Sequence, residues 1–109
     1  MVDKRQTLKN ELSKIGQRRT FLRNTLRCRY ISQHTLKEMV YDNKLRLNCP
    51  LEGLDHYGRL RVLGEIDEDK YSIKINKELI KEWEKELREL TFKEKELNRQ
   101  LRKIKDNEK

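Results

Sequence analysis

Apolar residues are scarce in this chain: 34% of its 109 residues are hydrophobic and 42% are charged, against about 45–50% and about 25% in an ordinary globular domain. A compact sphere of this composition lacks core material. What survives is a set of long helices burying a narrow apolar stripe, or an oligomer that pools its apolar surface. Long hydrophobic runs are missing too, and no stretch approaches the roughly 20 apolar residues a membrane span needs. The charged N-terminal stretch MVDKRQTLKN has no apolar segment of the secretory kind, so a soluble protein of a reducing, cytoplasmic compartment is expected. Cysteine is nearly absent, and Cys28 and Cys49 alone are a poor disulfide framework.

Motifs that carry chemistry are likewise missing. No P-loop, dinucleotide fingerprint, EF-hand loop or nucleophile elbow occurs. Cys28, His34, Cys49 and His56 would supply a Cys₂His₂ set, but five, fourteen and six residues separate them. Structural zinc sites bring their ligands in close pairs, so no metal site is expected. A Cys49–His56 dyad has no third group to orient it, and the abundant carboxylates sit in solvated runs such as Glu65–Asp69. The sequence therefore points away from an enzyme and implies no cofactor.

What is present is heptad spacing at both ends. Leu8, Leu12, Ile15, Leu22 and Leu26 follow a four-then-three rhythm with Arg19 in the missing position; Trp83, Leu87, Leu90, Leu97, Leu101 and Ile104 do the same with Glu94 in theirs. Residues 3–29 read as a basic helix and 76–107 as a long C-terminal helix with Asn76 as its N-cap. Folded back antiparallel, the seams pair Leu26 with Trp83, Leu22 with Leu87 and Leu12 with Leu97, and bring Arg19 and Glu94 into neighbouring layers as an inter-helix polar pair. The alternative is that the same seams pair between subunits.

Between the ends, residues 32–75 read as a small α+β head. Thr35–Glu38 is a capping-box pattern opening a short helix that ends near Asn43, Leu45–Leu47 suggests a strand, and Asn48–Gly53 a turn. Leu60, Val62 and Ile66 alternate, Asp67–Lys70 is polar, and Tyr71, Ile73 and Ile75 alternate again, which predicts a β-hairpin. The expected fold is thus one predominantly helical α+β domain over 1–109, an antiparallel coiled-coil stalk carrying this head.

Net charge is +8, and its distribution along the chain is uneven. Residues 1–31 carry nine Lys/Arg against Asp3 and Glu11, or +7; residues 32–75 sum to −1 and 76–109 to +2. Arg5, Lys9, Arg23 and Arg27 border one side of the apolar stripe, and Lys14, Arg18 and Arg29 the other. Arg supplies charge and a fork of donors, which suits a phosphate backbone, so these seven residues are the candidate anion contacts. Some of them also face Glu84 and Glu86 on the second helix and could pair there. Two functions follow: a small oligomeric protein that binds nucleic acid or nucleoprotein through its N-terminal helix, or a protein-interaction module (adaptor, assembly factor or inhibitor) that docks an acidic protein surface through its coiled coil or head.

Overall fold

The computed structural model describes the backbone of residues 3–107 and the side chains of all of these except Glu52 and 105–107. Two helices account for nearly all of it: α1, Lys4–Asn48, and α2, His56–Asn107, with a 3-10 turn at Pro50–Glu52 between them. Asp3 starts α1, its carboxylate accepting from the Arg5 amide at 3.2 Å and its carbonyl from the Thr7 amide at 3.0 Å. Pro50 ends it. The residue before a proline is driven out of the helical region, and Cys49 is extended at φ −94°, ψ 113°. Gly53 reverses the chain at φ 62°, a left-handed conformation that glycine adopts without a Cβ penalty. Asp55 then caps α2, accepting from the Gly58 amide at 2.6 Å.

The helices form two compact units, Met1–Leu26 with Glu82–Lys109, and Arg27–Lys81. In the first, Leu8, Ile15 and Leu97 are buried, with Leu12, Leu90, Leu101 and Ile104 packed against them. Low numbers on α1 meet high numbers on α2, so the two segments run antiparallel. Leu22 is wholly enclosed, at 0% exposure.

The second unit is a helical hairpin around Val40, Val62 and Ile66, with Leu47, Leu54 and Ile73 packed against them. Its register is set by amides. Asn76, 4% exposed, donates to Gln33 Oε1 at 2.8 Å and to the Arg29 carbonyl at 3.1 Å, while Gln33 donates to the Ile73 carbonyl at 3.0 Å. Near the turn, Arg59 donates to the Leu47 carbonyl at 3.1 Å.

The expected α+β head is therefore wrong. Among the described residues there is no strand: residues 45–47, 59–66 and 71–75 are all helical, the polar stretch Asp67–Lys70 is mid-helix, and the short 35–43 helix is part of α1. Asn76 is a buried seam residue rather than an N-cap. The physical reason is that both heptad seams run on through the middle without a change of phase. On α1 the seam continues as Arg29, Gln33, Leu36, Val40, Asn43 and Leu47; on α2 it begins with Val62, Ile66, Asp69, Ile73, Asn76 and Ile80. Polar side chains at five of these twelve positions conceal the rhythm. Among the described residues, no helix is long and apolar enough to cross a membrane.

Candidate nucleic-acid interface

With the seam positions labelled a and d, the flanks of each helix are e and g, and b, c and f point outward. Arg18, at g of α1, grips Glu86, at g of α2, in a two-pronged pair: Nε to Oε1 at 2.8 Å and Nη2 to Oε2 at 3.1 Å. The same guanidinium lies 5.2 Å from the centre of the Phe21 ring. The hydrogen bond to Arg18 holds the Glu86 carboxyl below its ordinary value against a smaller opposing cost of desolvation, and raises Arg18 in turn. This pair puts the g flanks of both helices on one side of the first unit. The e flanks, and the b positions beside them, form the other side.

That e/b side is where cations collect. In the first unit it carries Lys9 and Arg23 from α1 and Arg88, Lys95 and Arg102 from α2, with Glu84 the only acid on it among the described residues. In the second unit it carries Arg27, Lys37 and Lys44 from α1 and Lys70, Lys74, Lys77 and Lys81 from α2, with Asp67 the only acid on it among the described residues. All twelve cations are exposed, and none makes an ion pair among the described residues. The acids lie elsewhere: Glu82, Glu89 and Glu96 repeat along the c stripe of α2 in the first unit, and Glu38, Asp42, Glu65, Glu68 and Glu78 occupy c, f and g in the second.

The residues singled out from sequence are thus dispersed. Lys9, Arg23 and Arg27 lie on the e/b side of their units. Arg5 is a half-buried seam residue with a partner, Lys14 is exposed on the opposite side, Arg18 is held by Glu86, and Arg29 occupies a seam position and is also engaged. Arg19 reaches Glu94, Nη1 to Oε2 at 2.6 Å, with the two side chains 17% and 30% exposed. Of the four residues that could have made a Cys₂His₂ set, Cys28 and Cys49 are exposed free thiols; His34 pairs with Glu38 at 2.9 Å, and His56 packs edge-on against Tyr57.

Sequence reasoning missed the nine cations Lys37, Lys44, Lys70, Lys74, Lys77, Lys81, Arg88, Lys95 and Arg102. Summing charge by segment cancels each against acids on the far side of the same helix. The signal was in the spacing, since Arg88, Lys95 and Arg102 recur every seven residues, as do Glu82, Glu89 and Glu96.

Because the Arg19–Glu94 pair is largely withdrawn from solvent, removing one partner strands the other. Arg19→Met should cost about 2 kcal/mol, and Arg19→Met with Glu94→Leu should recover most of it. Urea unfolding of both variants checks this; equal stability of the two would show that the carboxylate is solvated without its partner.

The chain matches no protein-family model, no curated protein and no solved structure.

Proposed function

We propose that this is a non-enzymatic nucleic-acid-binding protein that lays the e/b side of its Arg27–Lys81 helix pair against a phosphate backbone. One observation carries the reading: the e/b side of Arg27–Lys81 exposes seven cations to a single acid, none of them neutralised within the described residues. Unpaired cations at one-turn intervals displace condensed counterions from a polyanion, and the released ions drive binding without regard to base sequence. The seam holds the two helices in register, so the cations are presented in fixed rows.

Binding of labelled duplex and single-stranded oligonucleotides over a salt series tests it. Affinity should fall steeply with salt. Replacing Lys70, Lys74, Lys77 and Lys81 with Gln should flatten the log–log slope by about 3, since each phosphate that a lysine neutralises adds about 0.7–0.9 to it. Lys93→Gln with Lys103→Gln, on the other side of the first unit, should leave the slope alone. No binding at low salt, or equal reductions in the two sets, sinks the reading.

A second reading, a protein-docking module, is favoured by the exposed apolar residues. Apart from Phe21 and Phe92, all the large ones belong to Arg27–Lys81, and Leu45, Leu51, Tyr57, Leu60 and Leu63 lie at or near its turn. An acidic protein partner or a second copy is the occupant this reading would name.

A further inference from the structure

The two helices do not contribute alike to the e/b side of Arg27–Lys81. On α2 the positions Lys70, Lys74, Lys77 and Lys81 form an unbroken cationic row, four residues then three then four apart, roughly 16 Å long at 1.5 Å per residue. On α1 the facing row reads Arg27, Tyr30, His34, Lys37 and Tyr41, and three of these five carry rings. Tyr41 is 64% exposed and Tyr30, which already has a partner, 47%; His34 is exposed and pairs along its own helix with Glu38. The Gln33–Asn76 hydrogen bond fixes the level of one row against the other. Arg27 then stands level with Lys81, Tyr30 with Lys77 and His34 with Lys74, while Tyr41 lies about one turn past the Lys70 end of the lysine row, level with Asp67. His34 and Tyr41 border a shallow depression with Lys37, Glu38 and Asp42.

A duplex makes no use of a ring row, because its bases are stacked on each other and its phosphates face outward. A single strand uses both rows at once. Its bases stack on aromatic faces, an interaction tolerant of sequence because every base has a π-face, while its phosphates follow the cations. Glu38 and Asp42 line the outer edge of the ring row, so phosphates are repelled from that edge and directed to the lysines of α2. We infer that the ligand of Arg27–Lys81 is single-stranded nucleic acid, its bases on the rings of His34 and Tyr41 and its phosphates on the Lys70–Lys81 row. This rests on the nucleic-acid reading above and specifies its substrate.

Fluorescence anisotropy with three probes of equal length separates the two claims: oligothymidylate, an abasic strand with the same phosphates, and a duplex. The full chain should bind oligothymidylate roughly ten-fold or more tighter than the abasic strand, the gain expected from base–ring stacking. His34→Ala with Tyr41→Ala should bring oligothymidylate down to the abasic level and leave duplex binding in place. Tyr41→Phe, which keeps the ring, should retain the preference. Helical circular dichroism equal to that of the parent shows that the variants fold. Equal affinity for the oligothymidylate and abasic strands overturns the stacking inference while leaving phosphate binding intact. Binding to none of the three overturns both, as does a preference for vesicles of acidic phospholipid over every strand.

Discussion

Replacing Leu22 with alanine will lower the unfolding free energy by about 3 kcal/mol, within the range of about 2–5 kcal/mol seen for Leu-to-Ala changes at enclosed sites. Leu22 has no exposed surface, so its removal forfeits both its transfer from water and its packing against the surrounding side chains. In a seam built only from the a and d positions of two helices, little neighbouring material can move in to fill the space. Urea denaturation followed by circular dichroism measures the loss. A change below about 1 kcal/mol would mean that the seam collapses onto the gap, and that the tight packing of residues 4–26 against 82–104 contributes less than its geometry implies.

Glu68→Pro should cost about 3 kcal/mol or more, although Glu68 is exposed and makes no ion pair among the described residues. Proline inside a helix removes a backbone hydrogen bond and drives its ring against the carbonyl four residues back. Position 68 is where an alternating reading of the sequence places a β-turn, and a turn accepts proline. The substitution therefore discriminates directly between the two structures. A thermal melt unchanged by Glu68→Pro would restore the turn and remove the continuous helix.

The outer seams were legible because leucine fills them. Leu8 to Leu26 and Trp83 to Ile104 each tolerate one charged intruder, and the intruders' opposite signs disclosed that Arg19 and Glu94 belong together; they meet at 2.6 Å. The middle was not legible because its seam is built differently. Gln33 and Asn76 occupy interior positions by bonding to each other and to helix carbonyls, which hydropathy scores as surface. Meanwhile Tyr71 and Ile75, the residues that with Ile73 create an apparent period of two, are exposed at 66% and 40%. An apolar residue on the outside and an amide on the inside each shift the apparent period, and together they imitate a strand. The cationic side was hidden for a related reason. Opposite charges adjacent in sequence lie on different faces of a helix, so a running sum cancels charges that the structure keeps apart.

The two exposed thiols now have a defined separation. Cys28 and Cys49 both belong to Arg27–Lys81, and α1 runs nearly the whole way between them, roughly 30 Å at 1.5 Å per residue. A disulfide needs Cα atoms within about 7 Å, so the folded hairpin cannot close one on itself. A disulfide between two of these thiols can only link one chain to another, and a covalent dimer on a non-reducing gel would report encounters between molecules. The same spacing makes the pair a native ruler: dyes placed on the two thiols would register unwinding of α1 as a change in energy transfer, without any engineered cysteine.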